Sequence, residues 1–507
     1  MTLPLLLLLH GLTVVLSYSS MNLVKRIPLI LTLSLLITIT LSVSAFQNHD
    51  TSHLLSFSLL TLVELLSIVI FSFAYDYLDG EKNRAYFLRL LLSLTSCVVV
   101  LLLSQSILAV YLSWVVVGLL VNKLLLFYPH RPHTHTIAHK QFVNDMIANL
   151  LMAIGLFGLA IHYNSWSITT LSHALSLTQE SSVMLYLLII AVAFMLKTAI
   201  MPFHGWLIQV MEVPTPVSAF MHAGVVNLSG MMWLRLYPWW THYVTVREVV
   251  AIMALISLIL SSIVMLTRVS IKVRLAWSTT AQMSFLLIEC AQGWYEMAFI
   301  HLLGHSLYKA QAFLLSGHRV HEQPLKQQLK ERFGEVSARW LSPLLAFTLS
   351  ILFILLAGRV VHHSLGYAAI SIQQSLFLAL LLSPGLWLMK QDTVLTVWVK
   401  LIMQCVFITV FMMLHVLLHP VIPTELPLPS FITLPILFIL AVTYLIHWLI
   451  MSHQMLANSS RLNTLAYEGF YLDTLWTNWV SRPVEAVFHQ PKQLVTNALG
   501  RVLNETL

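Results

Sequence analysis

A lysine, two histidines, a glutamate and three prolines stand together in residues 197–227, KTAIMPFHGWLIQVMEVPTPVSAFMHAGVVN, between long apolar runs. Lys197 follows ten uncharged, mostly apolar residues, Leu187 to Leu196, which puts its ammonium at membrane depth. Pro202 then removes a backbone donor and breaks or kinks the helix. Irregular backbone at that depth is tolerated only where protein or a water-filled cavity covers it. Broken helices with buried polar groups point to a transport site. An ionisable group inside the bilayer costs roughly 3 kcal/mol on insertion scales, so it is a functional candidate by default. The chemistry on offer is proton transfer: burial favours the neutral amine, a nearby carboxylate favours the ammonium, and a lysine held between the two can take up and release a proton.

A second constellation is HLLGHSLYK, residues 301–309. His301, His305 and Lys309 recur every four residues and share one helix face. Successive members are about 6 Å apart along the axis, and histidine titrates near neutral pH. That spacing suits a ladder for a hydrogen-bonded water chain; the plainer reading is histidines satisfied by neighbouring helices. His204 lies just after Pro202, and His222, in the helix after the break, could link Lys197 to the ladder. Glu64, alone in LLTLVELLSIVIF, is a candidate partner for a buried lysine. Glu212 beside PTP is as readily structural as functional, and Glu289 and Lys400 are weaker candidates. Lys123 and Asp145 flank the 128–140 loop and read as interfacial. His130, His133, His135 and His139 read as part of a solvated basic loop, so no metal site is assigned to this chain. Walker A, GxGxxG, HExxH and CxxC patterns are all missing, so no catalytic residue is assigned either.

These residues have to be positioned by membrane helices. The 507 residues are 58% hydrophobic and 9% charged, where a soluble chain carries roughly 25% charge. The net charge of +7 fits loops rich in Lys and Arg on one side of a membrane, with lipid as the surrounding partner and no nucleic acid. Cys97, Cys290 and Cys405 are far apart in apolar runs and form no disulfide or metal pattern. The first apolar run lacks a basic leader and an A-x-A-like site and reads as a span. Lys25 and Arg26 follow it, which puts the N-terminus outside. Runs long enough to span fall near 3–19, 28–46, 54–75, 84–104, 106–127, 141–163, 183–211 (broken), 214–236, 247–267, 274–292, 294–317, 341–361, 372–389, 393–418 and 432–452. The reading is an all-α polytopic bundle of about 14–15 helices over residues 1–452, with a cytoplasmic connector at 318–340. Residues 453–507 form an amphipathic, aromatic-rich tail suited to the membrane surface or a partner, with the C-terminus cytoplasmic.

The wording of these motifs resembles a known family. KTAIMPFHGWL (197–207), PTPVSAFMHA (214–223), LAWSTTAQMSF (275–285) and HLLGHSLYKAQAFLLSG (301–317) are similar, in the same order, to the antiporter-like proton-translocating subunits of respiratory complex I and multisubunit cation/proton antiporters. Residues 50–320 carry the likeness well, and FYLDTLWTNWVSRP (470–483) more loosely. Within that family HGWLIQVMEVPTPVSAFMHAGVVNLSG, YLDGE (77–81) and LLLFYPHRP (124–132) are most similar to the membrane subunits of DAB-type inorganic-carbon transporters. The resemblance implies an antiporter-like bundle in a bacterial inner membrane that conducts H⁺ or Na⁺. It also implies a peripheral partner, DabA, resembling a β-type zinc carbonic anhydrase, so that zinc and CO2 hydration belong to the partner. Lys197 matches the family's central lysine, and His222, His301, His305 and Lys309 match polar residues of its central axis. The family's helix near 111–127 carries a glutamate that pairs with the lysine, whereas this chain has Val115 there, so another carboxylate such as Glu64 or Asp145 has to substitute. The distal lysine helix has no clear copy either; Arg359 or Lys400 stands nearest to it. The competing expectations are a subunit of a cation/proton antiporter or complex I relative, and a membrane anchor that conducts nothing.

Overall fold

The computed structural model describes residues 2–19, 24–48, 50–177, 179–209, 213–316, 343–365, 370–387, 394–419, 422, 428–453 and 460–483. The 318–340 connector, Glu212 and residues 484–507 lie outside the described residues.

The apolar runs fold as helices that alternate direction: α1 (Thr2–Leu16), α2 (Ile27–Gln47), α3 (Thr51–Tyr77), α4 (Arg84–Leu103), α5 (Ile107–Leu125) and α6 (Pro132–His162). A short α7 (Ile168–Leu177) precedes α8 (Ser181–Lys197), which stops at its lysine; α9 (Gly205–Ile208) follows after a turn. Next come α10 (Thr215–Ala223), α11 (Leu228–Arg235), α12 (Tyr237–Trp240), α13 (Val244–Leu266), α14 (Ile271–Gln292) and α15 (Tyr295–Leu314). The last group is α16 (Pro343–Leu365), α17 (Ile372–Leu382), α18 (Pro384–Trp387), α19 (Val394–Leu418) and α20 (Ser430–His453), with the tail helices α21 (Ser460–Tyr467) and α22 (Leu472–Trp476). Each of the fifteen apolar segments meets a helix or a broken pair. Among the described residues ten are long and apolar enough to cross a bilayer unaided. α14 and α15 have the length but carry the polar residues described below.

Among the described residues, two helix discontinuities border the candidate residues. The first is the expected break, where α8 ends at Lys197 and the chain turns through Ala199 (φ +56°) and a cis Met201–Pro202 bond before α9. The second falls at Gly224, where α10 gives way to a 3₁₀ turn, Val225–Asn227, before α11. Such breaks persist in a membrane only when the freed backbone groups find partners. Ser257 Oγ accepts the Met201 N–H at 2.9 Å, and Asn227 Nδ2 donates to the Ala223 carbonyl at 2.7 Å.

α6 departs from the expected boundaries. Pro132, whose fixed φ suits a first helical turn, starts it nine residues before the apolar run, so the 128–140 segment is mostly helix. At about 1.5 Å per residue its 31 residues span about 46 Å, well beyond a core of about 30 Å.

The ends of the helices sort onto two sides. Lys25 and Arg84 both lie against the Tyr75 ring, Tyr128 donates to Glu81, and Lys272 donates to Thr215. This basic side gathers the loops rich in Lys and Arg. On the far side Arg235 donates to the Leu101 and Ser104 carbonyls and Arg247 to that of Ala291. Between them the core is aromatic: Trp233 stacks on Trp240 at 4.3 Å, and Phe194 packs against Trp114 at 5.6 Å. The outer surface stays apolar, with Leu29, Leu33, Leu36 and Val43 of α2 and Leu352, Leu355 and Leu356 of α16 all exposed. A stripe of that kind is stable only in lipid.

Candidate ion-translocation site

Lys197 ends α8 inside the bundle and is 1% exposed. Its Nζ donates to Asp145 Oδ2 at 2.8 Å and stands 5.0 Å from the centre of the Trp114 ring. Of the two carboxylates expected to substitute for the missing glutamate, Asp145 is the one that meets Lys197; it is buried on α6, so its interfacial reading is corrected. The expectation failed because α6 starts at Pro132, which puts Asp145 thirteen residues, or about 20 Å, into the helix. Asp145 also accepts from Gln141 Nε2 at 2.8 Å, and Asn122 Nδ2 donates to Gln141 Oε1 at 2.8 Å. Asn144 Nδ2 donates to the Leu196 carbonyl at 3.0 Å and ties α6 to the end of α8. Gly118 of α5 makes the pair possible. A methyl group there would lie 2.1 Å from Asp145 Oδ2 and 3.0 Å from Lys197 Nζ. The acid therefore comes from α6 and leans over α5, while Val115 lines a groove of about 340 Å³ with Tyr111, Gly118, Asp145 and Asn149.

Glu64 is not the partner of a lysine. It is fully buried on α3, and its oxygens take Ser34 Oγ at 2.5 Å, Thr38 Oγ1 at 2.6 Å and His10 Nε2 at 3.0 Å. His10 of α1 was not singled out in the sequence, because a lone histidine in a leucine run has no patterned neighbour.

On the other side of the α8 break lies the hydroxyl strip of α14, from the WSTTAQMS stretch. Ser284 Oγ donates to the Ser257 Oγ that holds the Met201 N–H, and Thr279 Oγ1 lies 3.2 Å from His222 Nδ1. His222 is fully buried and stacks on Phe313 at 4.4 Å. The expected ladder forms a line along α15. His301 and His305 ring centres are 6.4 Å apart, and Lys309 donates to the Leu275 carbonyl and to Ser278. His301 bridges Glu289 Oε2 at 2.8 Å and Gln282 Oε1 at 2.7 Å, so Glu289 belongs to this line. His305 is buried with no protein hydrogen bond to either ring nitrogen. His204 is buried against Trp277, with ring centres 4.8 Å apart, and its Nδ1 makes no protein hydrogen bond. Lys400 is buried on α19 and Arg359 is exposed on α16. Glu212 lies outside the described residues. His133, His135 and His139 fall on the first turns of α6, where His135 Nε2 meets the Pro129 carbonyl at 2.8 Å.

The tail closes the break from the basic side. Asp473 Oδ2 pairs with Lys140 Nζ of α6 at 2.8 Å and accepts from Gln209 Nε2 at 3.2 Å. Phe203 meets Trp476 edge-on at 4.9 Å, and Arg268 donates to the Tyr467 carbonyl at 2.5 Å. A Cβ on Gly205 would lie 1.6 Å from Asp473 Oδ1, so only glycine lets the tail sit this close.

The arrangement offers two buried ammonium groups, four imidazoles, two carboxylates and a bridging row of hydroxyls, all able to hold or pass a proton. Comparison with known proteins puts it in context. The family described as NADH:quinone oxidoreductase/Mrp antiporter, TM, matches residues 104–360, over half of the chain. The probable inorganic carbon transporter subunit DabB of Hydrogenovibrio crunogenus is 34% identical over 290 residues, 56% of each chain. The probable inorganic carbon transporter subunit DabB2 of Halothiobacillus neapolitanus is 36% identical over 302 residues, 59% of this chain and 55% of that one. The chloroplastic NAD(P)H-quinone oxidoreductase subunit 5 of Chara vulgaris is 28% identical over 280 residues, 54% of this chain and 42% of that one. The chain thus spans about half the length of the curated relatives it matches. Because the matched region takes in every polar residue of the line from Asp145 to Lys309, the chain is a multi-pass membrane protein of the NADH:quinone oxidoreductase/Mrp antiporter transmembrane family.

Proposed function

We propose that this chain is the cation-conducting membrane subunit of a two-component inorganic-carbon uptake complex in a bacterial inner membrane. Its basic side faces the cytoplasm, the N-terminus lies outside and the C-terminus inside. A peripheral DabA-like subunit holds zinc and hydrates CO2 to bicarbonate, and ion flow through this chain energises that partner. The carrying observation is the buried Lys197–Asp145 pair at a helix break. Ion pairs buried in low dielectric gain little stability over apolar replacements, which supports a role other than holding the bundle together. The names of the DabB relatives support the carbon-uptake reading.

The donor set favours the proton over Na⁺. Sodium needs several hard oxygen ligands around one point, whereas the two carboxylates of this line, Asp145 and Glu289, already pair with Lys197 and His301, and ammonium groups repel a metal cation. A proton moves by exchange between neighbours. Asp145 takes it from the Lys197 ammonium and leaves a neutral amine, which is reprotonated from the His222 side through water held by the α14 hydroxyls. An unpartnered buried imidazole is costly, and a transient water file gives His305 the partner the protein withholds.

The test is proton flux into proteoliposomes, read with an internal pH dye. Lys197→Ala and Asp145→Asn each abolish flux while the protein still elutes as a folded species; intact flux in both overturns the reading. Since quinone oxidoreductase subunits are also among the relatives, membership of an antiporter or complex I-like assembly is the second reading. It is favoured if purification brings down several further antiporter-like subunits and no zinc protein.

A further inference from the structure

On the far side, away from the Lys197 pair, three metal-ligating side chains converge. Glu296 sits in the first turn of α15, His415 in the last turn of α19, and His419 one helical turn beyond. Glu296 Oε1 lies 2.5 Å from His415 Nδ1, Oε2 lies 3.5 Å from His419 Nδ1, and the ligand atoms of all three fall within 4.8 Å of one another. Glu296 is 4% exposed, while the His419 side chain is 25% exposed and opens the cluster to solvent. His419 Nδ1 is itself buried and makes no hydrogen bond.

We propose that Glu296, His415 and His419 form a binding site for a divalent transition-metal ion of the zinc class. A carboxylate withdrawn from water needs a positive partner. Among the described residues the charged or ligating groups facing Glu296 at bonding distance are these two imidazoles. Two neutral imidazoles and one carboxylate are the donor set of a zinc centre that keeps a fourth position open. Imidazole selects zinc, copper, iron or nickel, whereas calcium and magnesium demand oxygen ligands. Zinc bonds of about 2.0–2.1 Å in a tetrahedron need ligands about 3.3 Å apart, so the Glu296–His415 contact opens by under about 1 Å and the His419 contact closes slightly. Residues 415 and 419 project from one face of the helix end, as two ligands of one ion must.

The site stands on this geometry. Its consequence for transport rests on the proposed function. Glu296 and the 301–309 ladder share α15, so a bound metal sits at the far end of the proton line and slows it.

The experiment is zinc binding to the purified full chain in detergent, by calorimetry, in a background carrying His133→Ala and His135→Ala. One site per chain is expected, weakened in both Glu296→Gln and His419→Ala by more than about tenfold, the loss that even supporting residues of a metal site can produce. Cobalt(II) in place of zinc reports the same site through intense visible bands of a tetrahedral ion, lost in those variants. Unchanged affinity and unchanged cobalt spectrum in both variants overturn the site. In proteoliposomes, zinc on the far side slows flux through the background protein but not through His419→Ala. Binding without any such effect keeps the site and removes it from the ion path, and loss of flux in Lys197→Ala is read separately, without metal.

Discussion

Gly118 is as much a part of the ion pair as the two charges it separates from the rest of α5. Any side chain there occupies the space of the Asp145 carboxylate. Gly118→Ala therefore splits the pair and strands two buried charges, a loss of roughly 3–5 kcal/mol when such a pair is broken. The expected outcome is a lowered unfolding temperature together with loss of flux, and Leu119→Ala, on the exposed face of the same helix, serves as a control that changes neither. Lys197 was legible in the sequence because it interrupts an apolar run and a proline follows. Its partner was legible only in part: Val115 in place of the expected glutamate left Glu64 and Asp145 as substitutes, and choosing between them needed depth. Asp145 read as interfacial because the apolar run begins only at 141, and nothing in hydropathy reveals a helix that starts earlier on polar residues. The far-side cluster was invisible for another reason: Glu296 and His415 stand 119 positions apart, and only packing of α15 against α19 joins them.

At the scale of elements, the two discontinuities differ in how they announce themselves. The first carries a proline and a lysine. The second, at Gly224, runs through VVNLSG with no charge or proline, and its mark is the asparagine that reaches back to the Ala223 carbonyl and across to Ser306. The hydroxyls of α13 and α14 brace the first. Ser257→Ala leaves the Met201 N–H buried without an acceptor, at roughly 1–3 kcal/mol. Ser284 Oγ has a second acceptor in the Thr280 carbonyl on its own helix and does not hold the break itself. The unfolding temperature in detergent should drop clearly for Ser257→Ala and less for Ser284→Ala; equal drops would show that the break is held in another way.

Across the whole molecule, the segment pattern was the most legible feature, since each span must satisfy its own backbone and cover a bilayer with apolar side chains. What hydropathy could not supply was depth: which polar residues reach the middle, and which helix faces lean together. The sidedness follows from alternation and is open to measurement. In a protein with Cys97, Cys290 and Cys405 replaced, an impermeant thiol reagent applied to intact cells labels Asn164→Cys, at the exposed turn before α7, and leaves Asn478→Cys in the tail unlabelled until the cells are opened. The opposite pattern reverses the orientation.

Lys140 and Asp145 stand five residues apart on α6, one gripping the chain's tail and the other gripping Lys197. A helix does not stretch over so short a span, so the two grips are coupled: the tail segment at Asp473 and the Asp145 carboxylate shift together through less than two turns of α6. Under the proposed function, a partner docked on the tail beside Asp473 acts on the Lys197 pair without touching it.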